Sequence, residues 1–79
     1  MPRIRTEKCV IAFATTTQAM AMEACARRLG AEGRLIPLPP VIDAGCGLAW
    51  CAPAAARPVL EQMLREQQLG YAGIYELLL

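Results

Sequence analysis

Apolar residues in this sequence fall into short blocks whose spacing alternates between that of β-strands and that of helices. Residues 8–14 form a continuous apolar run with β-branched and aromatic members, which is typical of a central strand covered on both faces. Residues 18–29 place apolar side chains three and four positions apart, which predicts an amphipathic helix closed by Gly30. The apolar face of that helix is predicted to contain Ala19, Met22, Cys25, Ala26 and Leu29.

The second half of the chain repeats this alternation. Residues 33–37 form a short second strand, whose terminal proline favours an edge of the sheet. Residues 47–52 form a third strand. A second helix follows Pro53 and is predicted to end at Gly70, and residues 71–79 form the last strand. The buried side of the second helix is predicted to contain Val59, Leu60, Met63 and Leu64.

The order of these elements, β-α-β-β-α-β, predicts a single ferredoxin-like domain that spans residues 1–79. This α+β fold has an antiparallel four-stranded sheet in the order 4-1-3-2, with both helices on one face. The opposite face is bare unless something covers it. Because the first and last strands carry apolar side chains on both faces, we expect a homo-oligomer, most simply a dimer. Its interface would be the sheet face or the edge of the last strand.

The composition narrows the classes of protein to which the chain can belong. Hydrophobic residues make up 56% of the 79 positions, more than in an average domain, which again favours a subunit interface. The net charge of +1 argues against a nucleic-acid partner, and Arg3, Arg5 and Lys8 are interpreted as a solvated tail. No apolar run approaches the ~20 residues of a membrane span, and the first residues lack the layout of a signal peptide. We therefore expect a cytoplasmic protein without a membrane partner.

The four cysteines are predicted to be free thiols. A disulfide framework needs an oxidising compartment, and the sequence shows no export signal. No metal is expected, because there is no histidine, no Cys-x-x-Cys pair and no regular spacing between the cysteines. Cys9 and Cys25 lie within the apolar patterns of the first strand and the first helix, so both are predicted to be core residues. No cofactor is expected either.

Cys46 is the candidate for chemistry because it stands between two glycines. Neither glycine can shield the sulfur, and both allow the backbone to approach a ligand closely. In the predicted topology the start of the third strand lies beside the N-terminus of the first helix, whose partial positive charge favours a thiolate. The predicted site consists of Cys46 as the reactive residue, with Gly45, Gly47, Thr15, Thr16 and Thr17 as binding residues.

Several segments of the sequence carry a resemblance to a known family. They are Val10-Ile11-Ala12-Phe13 before a threonine-rich turn, Leu35-Ile36-Pro37-Leu38-Pro39, Cys46-Gly47-Leu48-Ala49 and Gly73-Ile74-Tyr75. Through them the chain resembles the selenium/sulfur carrier protein-like family of small bacterial proteins over about residues 8–76. The resemblance implies a ferredoxin-like fold and a role in carrying sulfur or selenium on the cysteine that corresponds to Cys46. Trp50 and Cys51 depart from the family pattern, in which an aliphatic-basic pair is common.

Two functions are compatible with these observations. The first is a sulfur or selenium carrier, in which Cys46 accepts the chalcogen from a donor protein and passes it to an acceptor protein. There is no histidine to act as a base, and Cys51 lies about 16 Å further along a regular strand at ~3.3 Å per residue. The sequence therefore favours a carrier or a binding protein over an enzyme. The second function is a non-catalytic, dimeric module that binds a small ligand or regulates a partner, with Cys46 as a small apolar residue in a tight turn.

Overall fold

The computed structural model describes residues 5–43 and 45–79, so Arg3 of the predicted tail and Ala44 lie outside the described residues. The elements are β1 (Glu7–Ala12), α1 (Thr16–Leu29), β2 (Arg34–Pro37), β3 (Leu48–Pro53), α2 (Arg57–Glu66) and β4 (Gly73–Leu78), with a 3₁₀ turn at Ala54–Ala56 before α2. The strands form one antiparallel sheet in the order β2-β3-β1-β4, which is the predicted order read from the other edge. The ferredoxin-like arrangement is confirmed.

The first helix begins earlier than its predicted start at Gln18. Thr15 has an extended backbone, and its hydroxyl accepts a hydrogen bond from the Gln18 N–H (3.1 Å), so Thr15 is the N-cap. The helix ends at Leu29, and Gly30 closes it with a φ of 71°, as predicted. The earlier start is explained by the cap, since any one of three adjacent threonines could fill that position.

The second helix is shorter at its C-terminus than predicted. It ends at Glu66 and does not continue to Gly70. The chain leaves the helix because Gln68 adopts a left-handed conformation with a φ of 53°. The Leu69 N–H then bonds to the Leu64 carbonyl oxygen at 2.9 Å, which closes the last turn. A left-handed glutamine is uncommon, and no residue type before Gly70 signals it.

The main core lies between the sheet and the two helices. Two residues predicted to lie on the buried faces of the helices are not in this core, because Leu29 is 53% exposed and Val59 is 63% exposed. Both line a shallow cleft between the end of α1 and α2, on the solvent side of the helices. A helical repeat does not show which flank of an apolar stripe meets the sheet. The remaining predicted helix positions are buried: Ala19, Met22, Cys25, Ala26, Leu60, Met63 and Leu64.

The face of the sheet away from the helices is called the open face here. A second apolar cluster on it joins Val10 of β1 and Ala49 of β3 to Ile42, which belongs to the loop after β2. Ile42 is buried, so this loop folds over one part of the sheet. A second subunit was the predicted cover for this face, but in this part the chain's own loop covers it, and the subunit interface stays a prediction. The apolar side chains on the two faces of β1 are covered by α1 and α2 on one side and by the loop on the other.

Candidate functional site

The loop that carries Cys46 needs its two glycines for different reasons. A Cβ atom at Gly45 would lie 2.5 Å from the carbonyl oxygen of Ala14, a separation that real side chains do not adopt. Gly47 has open space around it, but its φ of 73° favours glycine. The Gly47 carbonyl oxygen also accepts a hydrogen bond from the Leu38 N–H (2.9 Å). Backbone contacts with two other segments therefore fix the chain on both sides of Cys46.

The first turn of α1 lies beside this loop. Ala14, which Gly45 contacts, immediately precedes the N-cap Thr15. The Ala14 N–H donates to Oε1 of Gln18 (2.9 Å), while the Thr15 hydroxyl accepts from the Gln18 N–H. The structure thus brings the start of the third strand and the start of the first helix together, as the topology predicted.

The three threonines of this turn have different roles. The hydroxyl of Thr15 is engaged as the helix cap. Thr16 and Thr17 are exposed on the first turn of α1. A role for these two hydroxyls in ligand binding stays a prediction, whereas Thr15 already has a structural one.

Gln18 is the residue of this site that sequence reasoning missed. Besides accepting the hydrogen bond described above, its side chain lies against Gly70, where a Cβ atom would be 2.6 Å from its Nε2. The Ala72 N–H donates to the Ala12 carbonyl oxygen (2.7 Å), which holds Tyr71 at the same end of the sheet. The pattern Thr-x-x-Gln at a helix start is a capping-box signal and could have identified this residue.

Cys46 is half-buried. Its side chain packs against the main core, and its Sγ donates a long hydrogen bond to the Leu48 carbonyl oxygen (3.8 Å). The flanking glycines leave the sulfur uncovered on their side, as predicted, but the side chain turns toward the core, which half-buries it. In this rotamer the sulfur faces a carbonyl oxygen, which offers no hydrogen-bond donor to an anion. Rotation of the side chain away from the core would expose the sulfur further.

The other three cysteines lie in different surroundings. Cys9 and Cys25 are buried in the main core, as predicted, and burial raises the pKa of the Cys9 thiol. Cys51 pairs with Val10 in the β1–β3 register and lies half-buried on the open face. Cys46, by contrast, packs on the helix side of the sheet. A disulfide between Cys46 and Cys51 would therefore require the start of β3 to come apart.

Residues 8–76 contain the Cys46 loop, both helices and most of every strand, and they match the family described as "Putative Se/S carrier protein-like". The chain belongs to this family. The Se/S carrier-like domain matches no curated protein and no solved structure. The family supports a class of function, and the chemistry depends on the residues of this chain.

The polar side chains at the Cys46 end of the carrier-like domain include the exposed threonine hydroxyls, the Gln18 amide and the Tyr71 phenol. Within residues 5–43 and 45–79, no three side chains of His, Cys, Asp or Glu come together as a possible metal site. The helices in this described part are all too short or too polar to cross a membrane.

Proposed function

We propose that this domain carries sulfur or selenium as a covalent adduct on Cys46. The observation that supports this most is the position of the thiol in a glycine loop that the Gly45–Ala14 contact holds beside the first turn of α1. Membership of the Se/S carrier-like family supports the same class of function. The partners of the reaction are then a donor protein that holds the chalcogen on a thiol and an acceptor protein that takes it away.

The proposed transfer begins when the Cys46 side chain rotates away from the Leu48 carbonyl oxygen. The thiol gives its proton to solvent, and the thiolate attacks the terminal sulfur of a persulfide on the donor. A bond forms between Cys46 and that sulfur, the sulfur–sulfur bond of the donor breaks, and the donor leaves as a thiolate. The attacked sulfur moves from one thiol to another, so no oxidant or reductant is consumed. A selenium atom bound to a donor sulfur would transfer by the same substitution.

The start of α1 supplies stabilisation for the product. The first N–H groups of a helix have no partner within the helix and carry a partial positive charge. An anionic persulfide on Cys46 would gain from this charge and from the exposed hydroxyls of Thr16 and Thr17. Gly45 and Gly47 add no side chains to the loop, so they leave room for the backbone of the donor or acceptor.

The fold also separates the adduct from the other thiols of the chain. A persulfide is discharged when a second thiol attacks it. Cys9 and Cys25 are buried, and Cys51 lies on the opposite face of the sheet from the core side chains around Cys46. The adduct is then discharged by the acceptor protein and not by a neighbouring cysteine, which is what a carrier requires.

Intact-mass spectrometry tests this proposal. Protein purified without reductant and incubated with a low-molecular-weight persulfide should gain about 32 Da, the mass of one sulfur, at Cys46. A selenium donor should add about 80 Da at the same residue. The variant Cys46→Ser should lose the adduct, whereas Cys51→Ser, the matched control at the other half-buried cysteine, should retain it.

Two results would overturn the proposal. An adduct that forms equally in both variants, or that maps to Cys51, would show that Cys46 is not the carrier thiol. No adduct on the wild-type protein under conditions that load a simple thiol would favour the alternative function, a non-catalytic dimeric module.

A further inference from the structure

A groove on the open face concentrates positive charge that the proposed function does not use. The groove has a volume of about 980 Å³ and is lined by Arg5, Lys8 and Arg34 together with Cys51. No side chain among the described residues that line it is acidic. The net charge of the whole chain is only +1, so the charge of the groove is a local feature and not a property of the entire surface.

The register of the sheet builds this arrangement. Arg34 of β2 pairs with Cys51 of β3, and Cys51 pairs with Val10 of β1. Paired residues in neighbouring strands share a face, and residues two apart on one strand also share it. Lys8 therefore lies diagonally across from Cys51, and Arg34 lies directly beside it. Two of the three cations are held by strands and not by a mobile loop.

Among the residues that the structure describes, no Asp or Glu side chain pairs with the cations of the groove. The three ion pairs within residues 5–43 and 45–79 involve Arg27 and Arg57, and none of them includes Arg5, Lys8 or Arg34. Like charges lined up along a concave surface raise the local potential and attract a counter-ion. An anion in the groove would offset the repulsion among the three side chains.

The groove also has apolar walls. Ile36 of β2, Val41 of the following loop and Leu78 at the end of β4 line it. Val41 is 77% exposed and Leu78 is 61% exposed, so both present apolar surface at its mouth. The volume is at the upper end of the range of roughly 300–1,000 Å³ that small-molecule sites occupy. Positive charge beside apolar surface suits a ligand that has both an acidic group and an apolar body.

We infer that this groove binds a small organic anion, an aromatic or aliphatic acid whose acidic group lies between Lys8 and Arg34. A second copy of the chain fits less well, because a two-fold contact centred on this groove would bring two positively charged patches together. The inference goes beyond the proposed function and does not depend on it, since Cys46 packs on the other side of the sheet.

Cys51 provides a reporter inside the groove. In a Cys46→Ser background it is the only cysteine that is not buried. Its labelling is followed with dithiobis-nitrobenzoate, an aromatic disulfide with two carboxylates, and with dithiodipyridine, a neutral aromatic disulfide. Each event joins Cys51 to one half of the reagent, breaks the reagent's sulfur–sulfur bond and releases the other half as a coloured thiol. The rate with the anionic reagent should saturate with concentration, and the rate with the neutral reagent should not.

Two charge-reversal variants distinguish an effect of the groove on the labelling rate from an effect of the net charge of the protein. Arg34→Glu should lower the labelling rate with the anionic reagent by about tenfold or more and leave the neutral reagent within about twofold. Arg65→Glu is the matched control: Arg65 is exposed on α2, away from the groove, and the variant has the same net charge. Equal effects of the two reversals, or a rate that stays proportional to reagent concentration, would overturn the inference.

Competition identifies the ligand class. Nitrobenzoate without a disulfide should protect Cys51 from dithiodipyridine, and the protection should be lost in Arg34→Glu. Protection by inorganic phosphate alone would show a site for any anion and would overturn the assignment to an organic acid. Since every variant lacks the Cys46 thiol, these results are independent of whether Cys46 carries a chalcogen.

Discussion

The two glycines beside Cys46 stabilise the fold for different physical reasons, close packing at Gly45 and a positive φ at Gly47. Gly45→Ala puts a methyl group against the Ala14 carbonyl oxygen and should lower the free energy of unfolding by about 2–3 kcal/mol. Gly47→Ala meets no atom within 4 Å and should cost about 1 kcal/mol, from its positive φ alone. Urea denaturation of the two variants measures both values. Equal costs, or a larger cost at Gly47, would contradict the contact between the loop and Ala14.

Cys9 should make the protein less stable at alkaline pH. Burial raises the pKa of this thiol above its ordinary value of 9.0, so the unfolded chain loses the proton first as the pH rises. The stability due to the protonated thiol is complete below the ordinary pKa and is lost as the pH rises through the folded-state pKa. Urea denaturation from pH 7 to pH 11, with Cys9→Ala as the control, should show a shallower decline in the variant. If the free energy of unfolding declined equally in the wild type and in the variant, the raised pKa of Cys9 would be contradicted.

At the scale of the element, the N-terminus of α1 connects the helix to the site. Gln18→Ala removes the acceptor of the Ala14 N–H and should cost about 1 kcal/mol, whereas Gln18→Glu keeps an acceptor and adds a negative charge where a helix N-terminus favours one. Because Ala14 contacts Gly45, the alanine variant should also speed the alkylation of Cys46. Denaturation and alkylation rates measure these two effects.

Gln62→Ala is the control for this prediction. Gln62 is an exposed glutamine of α2 whose side chain donates to Glu66 of the same helix and to no other described residue. Its loss should leave the alkylation rate of Cys46 unchanged. An equal acceleration in both variants would mean that Gln18 acts through general stability and not through the loop.

The sequence pattern predicted the elements that depend on local periodicity and capping. The apolar run of β1, the repeat in α1 and the glycine that closes it were sufficient, because each signal lies within a few residues of the structure it specifies. The end of α2 was missed because it depends on Gln68 in a conformation that its residue type does not favour. Val59 was wrongly predicted to be buried. Helical spacing shows which residues form the apolar stripe, but it does not show where the contact between that stripe and the sheet ends.

The candidate site was predictable only in part. The position of Cys46 near the start of α1 was predictable, because it follows from the strand order alone. The orientation of the thiol toward Leu48 depends on one side-chain torsion, which no sequence pattern specifies. The groove around Cys51 depends on register, which joins Lys8 and Arg34 from distant parts of the chain.

At the scale of the whole molecule, we expect self-association through the edge of β4. This strand ends the sheet, and Leu78 near its end is exposed. Leu78→Glu should weaken the dimer by about tenfold or more, which corresponds to roughly 1.4 kcal/mol, while Val59→Glu, at an equally exposed apolar site on α2, should not. Sedimentation equilibrium measures the difference. A wild-type chain that stays monomeric at high micromolar concentration would contradict this expectation.

The contact between Gly45 and Ala14 has a consequence for the newly synthesised chain. It joins two segments that only the completed pairing of β1 with β3 brings together. Until the ribosome has released enough of the chain for β3 to dock, Cys46 is an ordinary cysteine in an unstructured peptide, with no helix terminus beside it. If the domain carries a chalcogen as proposed, a donor that recognises the folded loop would load folded molecules and would not load nascent or damaged ones.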